Sequence, residues 1–196
     1  MKIIFATGNK DKIKEIRAIF GDRVEEVLTM KEAGIDIDIE ENGTTFIENA
    51  LIKARSVAAH CDAIVMADDS GLVIDALNGE PGVYSARYLG RDTSYHEKNQ
   101  NLIERLAGKV GEERSARFVC AIAAVMPDGR EFTSEKTMEG QIGFEEKGEN
   151  GFGYDPIFFL PEYGKYSAEL APEEKNRISH RGKALRDMEE QLKDVL

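Results

Sequence analysis

The longest uninterrupted apolar run of the chain, residues 118–126, limits the possible folds more than any other feature. Its nine residues are too few for a transmembrane helix, which needs roughly 20 apolar residues. The turn-forming sequence Pro127-Asp128-Gly129 follows the run, and Arg130–Met138 is typical of a second extended segment. A strand that is apolar on both faces belongs inside a sheet. The run therefore predicts one arm of a hairpin at the centre of a sheet, and no membrane-spanning segment.

Short apolar runs alternate with segments of helical periodicity over most of the chain. Further strands are predicted at Lys2–Ala6, Val24–Leu28, Ile35–Ile39, Ala63–Ala67, Leu72–Ile74 and Ile157–Leu160. Helices are predicted on Ile13, Ile16, Ala18, Ile19 and Phe20, from Thr45 to about His60, from Ser94 to about Leu106, and from about Ser179 to Leu196. This order predicts an α/β fold with a mixed sheet and flanking helices. No linker-like composition interrupts residues 1–196, so we expect a single domain.

The helix after Thr45 has the clearest start signal in the sequence. Thr45 and Glu48 have the spacing of a capping box. The main apolar stripe of this helix is predicted to be Ile47, Leu51, Ala54 and Ala58, with Lys53 near its edge.

The charge of the chain excludes one class of partner and restricts another. The sequence has 26 lysines and arginines against 37 aspartates and glutamates, a net charge of −11. This balance argues against a duplex-binding surface, so we expect no nucleic-acid partner. An anionic ligand must then be bound by local cations. One local group is Lys175, Arg177, His180, Arg181, Lys183 and Arg186, although a run of this kind is commonly a solvated helix face.

The two cysteines and the first residues suggest where the protein works. Cys61 and Cys120 each lie inside an apolar stretch and fit neither a redox pair nor a zinc site, which favours reduced core thiols. The apolar run at the N-terminus ends at Thr7-Gly8 and is too short for a secretory signal. We therefore expect a cytoplasmic protein.

The segment Thr7-Gly8-Asn9-Lys10-Asp11-Lys12 connects the first predicted strand to the first predicted helix. Backbone N–H groups and the helix dipole favour a bound anion at such a position. Gly8 allows close approach of the backbone, and Lys10 or Lys12 can neutralise a phosphate. The spacing of a Walker loop is absent, so an ordinary strand-to-helix turn stays an alternative.

Two acidic pairs follow predicted strands. Asp68 and Asp69 are consecutive, so in an extended backbone their side chains point to opposite faces and have different roles. One carboxylate can bind a hard cation such as Mg²⁺, and the other can hold the loop through hydrogen bonds. A solvated turn at Asp68-Asp69-Ser70-Gly71 is the alternative. Glu40 and Glu41 form the second pair, and carboxylates from two strand ends can share one metal ion.

Two segments near the C-terminus contain side chains suited to a planar ring. Residues 150–156 place Phe152 and Tyr154 among glycines, where they can stack on a ring while Asp155 accepts hydrogen bonds from it. Aromatic residues in such a loop also serve as packing anchors. Ser179 is a plausible N-cap that puts His180 and Arg181 in the first turn of the last helix.

Taken together, these segments resemble the inosine triphosphate pyrophosphatase family, which hydrolyses XTP, ITP and dITP to the monophosphate and pyrophosphate. The resemblance is carried by Thr7-Gly8-Asn9 with Lys12, Thr45–Ala50 with Lys53-Ala54, Ala67–Leu72, Pro81–Tyr88, Gly151–Phe158 and Ser179–Gly182. It implies an elongated α/β fold with a long mixed sheet and two lobes around a nucleotide cleft. It also implies a homodimer.

The resemblance further implies roles for individual residues. The phosphate chain is expected at Thr7, Gly8, Asn9, Lys10, Asp11, Lys12 and Lys53, with Ser70 touching phosphates or ribose. The base pocket is expected at Phe152, Gly153, Tyr154, Asp155, Lys175, His180 and Arg181. Glu40 and Asp69 are expected to bind Mg²⁺, and Asp69 also to act as the general base. Glu41 stays an alternative to Glu40 as the metal ligand, and Mn²⁺ stays an alternative to Mg²⁺. The order of preference among XTP, ITP and dITP is open.

The implied reaction is attack on the α-phosphorus by water that Asp69 orients or deprotonates, with pyrophosphate as the leaving group. Two other functions are compatible with parts of the pattern. A regulator that senses purine triphosphates needs the lysines and the base pocket but not the carboxylates. A phosphatase releasing orthophosphate usually needs an aspartyl nucleophile or two metal ions.

Overall fold

A computed structural model describes residues 2–20 and 24–195 of the chain. The strands are β1 Lys2–Phe5, β2 Glu26–Thr29, β3 Ile64–Ile74, β4 Ser115–Val125, β5 Glu131–Ile142, β6 Phe158–Leu160 and β7 Lys165–Tyr166. The α-helices are α1 Lys10–Phe20, α2 Phe46–Ala58, α3 Tyr95–Arg105, α4 Pro172–Ile178 and α5 His180–Leu192.

The strands of the described residues form one mixed sheet in the order β2-β1-β3-β4-β5-β6-β7. Strand β1 pairs in parallel with β2 and with β3, whereas β6 pairs antiparallel with β5 and with β7. Strand β4 is fourth of seven in this order, which confirms the prediction that the apolar run is central. The turn after it closes through a hydrogen bond from Met126 N to Arg130 O of 2.9 Å. The predicted α/β class with a mixed sheet is confirmed.

The chain divides into two compact units, and each has its own core. The first comprises the described residues of Met1–Ser70, Cys120–Lys136 and His180–Leu196, and the second comprises Gly71–Val119 and Thr137–Ser179. In the first unit, Phe5, Ile16, Met66, Ile122 and Leu185 are among the fully buried core residues. In the second, Leu72, Ile74, Leu102, Ile157 and Phe158 are among them. The expectation of a single domain stays a prediction.

Helices α2 and α3 begin where the sequence predicts. Thr45 and Ser94 are their N-caps, and each forms a complete capping box with the glutamate three residues later. The buried face of α2 differs from the predicted stripe, because Phe46, Ala50, Ala54 and Val57 are buried whereas Ile47 and Leu51 are only half-buried. Lys53 therefore lies on the inward side of the helix.

Two secondary-structure predictions were wrong, and one helix was missed. Residues 35–39 form no strand, although the isoleucines are half-buried and the aspartates are exposed. The two strands predicted at 63–67 and 72–74 are one continuous strand, β3. The last helix is preceded by α4, which was not predicted, and begins at His180. Leu196, its last predicted residue, lies outside the described residues.

Candidate functional site

The loop between β1 and α1 is held by its own side chains. Asn9 Oδ1 accepts hydrogen bonds from the backbone N–H groups of Asp11 (2.9 Å) and Lys12 (3.2 Å), and Thr7 Oγ1 accepts from Asn9 N (3.2 Å). Asn9 thus caps a helix of eleven residues. Gly8 is exposed, and a Cβ added there would meet nothing within 4 Å. The backbone at Gly8 is therefore open to a ligand at the positive end of α1.

Asp68 connects three elements of the first unit. Its carboxylate is 1 % exposed, and Oδ2 lies 3.0 Å from Lys12 Nζ, accepts from Ser70 Oγ (2.9 Å) and accepts from Arg181 Nε (3.4 Å). Arg181 is also paired with Glu15 of α1. Burial alone would raise the pKa of Asp68, but Lys12 and Arg181 outweigh it, and the pKa is held well below its ordinary value. Asp68 is therefore a permanently charged bridge between α1, β3 and α5.

Asp69, the next residue of β3, points to other partners, as the alternation of an extended strand requires. Its Oδ1 is 3.4 Å from Lys53 Nζ, and its Oδ2 accepts from Asn49 Nδ2 at 3.3 Å. The side chain is 11 % exposed. Burial raises the pKa of Asp69, and the opposing effect of Lys53 cancels this only in part. Asp69 is thus a carboxylate with a proton affinity above the ordinary value.

Helix α2 supplies the partners of Asp69. Asn49 and Lys53 are four residues apart, so they lie on one face of the helix. Asn49 is 1 % exposed, and its Oδ1 accepts from Gly43 N at 2.8 Å. Burial would lower the pKa of Lys53, but Asp69, Asp68 and Glu41 outweigh it and raise the pKa. The lysine is therefore a stable cation next to Asp69.

The contacts of Lys53 distinguish the two members of the second acidic pair. Lys53 Nζ donates to Glu41 Oε2 at 3.0 Å, so Glu41 and Asp69 share one ammonium group. Glu40, the residue expected to bind the metal, is exposed to solvent. Oxygen donors of this kind suit a hard divalent cation, although no cluster of three or more potential ligands occurs in residues 2–20 and 24–195. A cation at Asp69 would therefore need ligands beyond these side chains.

A second polar group lies in the second unit. Asp155 is 3 % exposed and accepts from Ser167 Oγ (2.7 Å), from Lys175 Nζ (2.6 Å) and from Phe152 N (2.9 Å). The ammonium of Lys175 also lies 5.0 Å from the centre of the Phe152 ring. A Cβ on Gly151 would collide with the Asp155 carboxylate. Both carboxylate oxygens of Asp155 already have partners within the protein, so its contacts here hold Lys175 and the loop.

The expected site residues thus fall into two groups. The first unit contains Lys12, Lys53, Asp69, Ser70, His180 and Arg181. His180 is buried at the start of α5. The second unit contains Phe152, Gly153, Tyr154, Asp155 and Lys175.

Sequence reasoning missed three residues that complete these groups: Glu15, Asn49 and Ser167. Asn49 had a visible signal, since it is a polar residue one helical turn before Lys53 on the same face. Glu15 is three residues after Lys12 on α1, but its pairing with Arg181 depends on the fold. Nothing local in the sequence marks Ser167.

None of the helices in the described parts of the chain is long and apolar enough to cross a membrane.

Comparisons with known proteins agree over nearly the whole chain. A profile of the Ham1 family matches residues 3–191. A protein of Exiguobacterium sibiricum named dITP/XTP pyrophosphatase is 47 % identical over 196 residues, covering 100 % of this chain and 99 % of the relative. One of the same name from Clostridium perfringens is 46 % identical over 201 residues, covering 100 % and 98 %. The structure of the Staphylococcus aureus Ham1 protein aligns over 100 % of both chains with a TM-score of 0.89 and 40 % identity.

Proposed function

Because the chain belongs to the Ham1 family, we propose that it hydrolyses non-standard purine nucleoside triphosphates, namely XTP, ITP and dITP, to the monophosphate and pyrophosphate. The observation that carries this proposal is the pairing of Asp69 with Lys53 on two rigid elements, β3 and α2. A charged base and a cation within hydrogen-bonding distance can orient water and bind phosphate oxygen at one point.

The phosphate chain binds at the loop of residues 7–12 and at Lys53. The open backbone at Gly8 and the N-terminus of α1 favour an anion, and Lys53 adds a fixed positive charge. Lys12 is already paired with Asp68, so it contributes to the local potential from a fixed position. An acidic protein can bind a triphosphate only where such cations are concentrated.

Asp69 acts as the general base on the attacking water. Asn49 holds one of its oxygens and Lys53 lies near the other, so the carboxylate is oriented before substrate binds. Its raised pKa makes it a better proton acceptor than an exposed aspartate, while Lys53 keeps it charged. The water attacks the α-phosphorus, and pyrophosphate leaves.

The residues present fit a divalent cation, which we take to be Mg²⁺. Asp69 and Glu41 are suitable oxygen ligands that already share one cation, Lys53, and Glu40 is an alternative to Glu41. A bound Mg²⁺ would supply charge neutralisation for the triphosphate and for the leaving pyrophosphate.

The base is recognised by Phe152, Tyr154 and the Asp155–Lys175 pair of the second unit, and a contribution of His180 and Arg181 stays a prediction from the sequence. A 6-oxo purine accepts hydrogen bonds where adenine has an amino group, so cationic donors favour hypoxanthine and xanthine over adenine. Asp155 contributes by holding Lys175 rather than by contacting the base. A homodimer in the cytoplasm stays a prediction from the sequence.

The proposal is tested by incubating the protein with ITP and MgCl₂ and separating the products by anion-exchange chromatography. The expected products are IMP and pyrophosphate in equal amounts, and EDTA should stop the reaction. IDP and orthophosphate as first products would indicate a phosphatase instead. Tight binding of ITP without turnover would indicate a nucleotide sensor.

A further inference from the structure

Three side chains of α3 converge on one carboxylate outside the groups described above. Glu146 accepts from Asn99 Nδ2 at 2.9 Å and from Gln100 Nε2 at 3.0 Å, and lies 2.6 Å from His96 Nδ1. The spacing of three and four residues puts these side chains on one face of the helix. Glu146 lies between β5 and the loop of residues 151–155. The segment that precedes the loop of residues 151–155 is therefore anchored to α3.

Asn99 makes the second connection, directly to the loop. Its Nδ2 donates both to Glu146 and to the carbonyl oxygen of Gly153, the latter at 3.3 Å. Asn99 is fully buried, and its Oδ1 has no hydrogen-bond partner among the described residues. Turning the amide over would place Oδ1 against two acceptor oxygens, so the observed orientation is the only satisfactory one. A buried oxygen is left unpaired so that the amide nitrogen can hold the loop.

Tyr154 ties the loop to α3 and to a second segment. Its ring meets that of Tyr95 on α3 edge to face with centroids 5.2 Å apart, and its OH donates to the carbonyl oxygen of Ser85, in the segment before α3, at 2.6 Å. Gly151 and Gly153 both have positive φ, 71° and 64°. Glycines at such positions leave the backbone many alternatives. A fixed conformation for this loop therefore depends on contacts of the kind that Asn99 provides.

We propose that Asn99, held by Glu146, is a positioning residue for recognition of the purine base. It fixes the carbonyl of Gly153 and so holds Phe152 and Asp155 in the conformation that receives the base. This inference rests on the proposed function and on the proposed base pocket. It concerns only the base end of the substrate, because every contact that carries it lies in the second unit.

Binding measurements with two probes separate positioning from general damage. IMP carries the base, and inorganic tripolyphosphate carries only the phosphate chain. By isothermal titration calorimetry, Asn99→Ala should weaken IMP binding about 10-fold, the order expected when one hydrogen bond that positions a binding group is lost, and leave tripolyphosphate binding within about twofold. In steady-state assays KM for ITP should rise by a similar factor while kcat stays within about threefold.

The matched control is Asn101→Ala on the same helix. Asn101 accepts from Tyr88 OH at 2.7 Å and forms no hydrogen bond to the loop of residues 151–155 in the described structure. This variant should bind both probes as the unchanged protein does. If Asn99→Ala does not fold, Glu146→Gln at the half-buried partner serves instead, with a smaller loss of IMP affinity of about threefold.

Unchanged IMP binding in a folded Asn99→Ala protein would overturn the inference, as would equal weakening of both probes or the same loss in Asn101→Ala. The proposed function fails separately, when the unchanged protein produces no pyrophosphate from ITP. An unchanged protein that binds tripolyphosphate but not IMP would remove the base pocket and the inference together.

Discussion

At the scale of single residues, Asp68 and Asp69 show how neighbours in one strand acquire different chemistry. The Asp68 carboxylate contacts the cations of Lys12 and Arg181 and the hydroxyl of Ser70, and its pKa is lowered despite burial. Asp69 receives one lysine and one amide, and burial raises its pKa. The strand sends the two side chains to opposite faces, so the environment of each face decides the outcome.

Asp69→Asn should reduce kcat for ITP by about 10²- to 10⁴-fold, because it removes the proposed base while keeping the shape of the side chain. Steady-state kinetics measure the effect, with folding checked by circular dichroism. Asp68→Asn is the matched comparison: it removes the buried carboxylate charge beside Lys12 and one of the carboxylates paired with Arg181, so it should lower stability more than Asp69→Asn does. Near-normal turnover in a folded Asp69→Asn protein would contradict the role of Asp69.

The two thiols should differ in reactivity. Burial raises the pKa of Cys120 to about 11, and its side chain is fully buried, whereas Cys61 is partly exposed. At pH 8 only about one Cys120 in a thousand is a thiolate, and that thiolate is inaccessible. Ellman's reagent should therefore modify one thiol per native chain and both after denaturation. Rapid reaction of both thiols in the native protein would show that this core position is open.

At the scale of elements, the capping box of α2 links local sequence to the site, because α2 carries Asn49 and Lys53. The backbone N–H of Thr44 contributes most to lowering the pKa of Glu48, followed by the Thr44 hydroxyl and the N–H of Thr45. A folded-state pKa below the unfolded value stabilises the fold above the unfolded pKa, and this contribution is lost as the pH falls.

Glu48→Gln should therefore destabilise the protein at pH 7, and the difference from the unchanged protein should narrow as the pH is lowered below about 4.5. Urea unfolding at pH 7 and pH 3.5 measures both values. Glu104→Gln, at an exposed glutamate of α3 outside its capping box, is the control and should have little effect at either pH. A difference for Glu48→Gln that is the same at both pH values would exclude the proposed linkage.

The elements that could be predicted from sequence are those with local signals. The capping box of α2, the start of α3 at Ser94 and the turn at Pro127-Asp128-Gly129 need only neighbouring residues, and each is where the sequence predicts it. The continuity of β3 could not be predicted in this way. Asp68-Asp69-Ser70-Gly71 has turn composition, but distant cations compensate its carboxylates and allow the strand to continue.

The candidate site divides in the same manner. Lys12, Lys53 and Asp69 can be singled out from the motifs that carry the family resemblance, and their roles in a site stay predictions. Other contacts could not be predicted, because their side chains meet only in the folded chain. These are the pairing of Glu15 with Arg181, the hydrogen bond from Ser167 to Asp155, and the contact of Lys53 with Glu41 and not with Glu40. The period-2 pattern at residues 35–39 failed for the corresponding reason, because alternation describes which side chains are covered and not whether a strand partner exists.

At the scale of the whole molecule, an acidic protein can bind an anionic substrate only where cations are concentrated locally. The net charge is −11, yet Lys12, Lys53 and Arg181 lie within one unit of the fold. General attraction between this protein and a nucleotide is therefore unfavourable, and discrimination depends on the individual contacts.

Selectivity for the base should be large. We expect kcat/KM for ITP and XTP to exceed that for ATP and GTP by at least about 10²-fold, because a mismatched donor or acceptor in a buried pocket is left unpaired. ATP fails at position 6 of the purine, and GTP fails at position 2, where it carries an amino group. Steady-state assays of pyrophosphate release with the four nucleotides measure the ratios. Hydrolysis of ATP or GTP within a few-fold of ITP would indicate a general triphosphate pyrophosphatase.

The most direct test of the account is hydrolysis of ITP in ¹⁸O-labelled water, followed by mass spectrometry of both products. Attack of water on the α-phosphorus predicts one labelled oxygen in IMP and none in pyrophosphate. Label in pyrophosphate would mean attack at the β-phosphorus, and labelled orthophosphate as the first product would mean attack at the γ-phosphorus. Either of these results would contradict the placing of Asp69 and its water at the α-phosphorus.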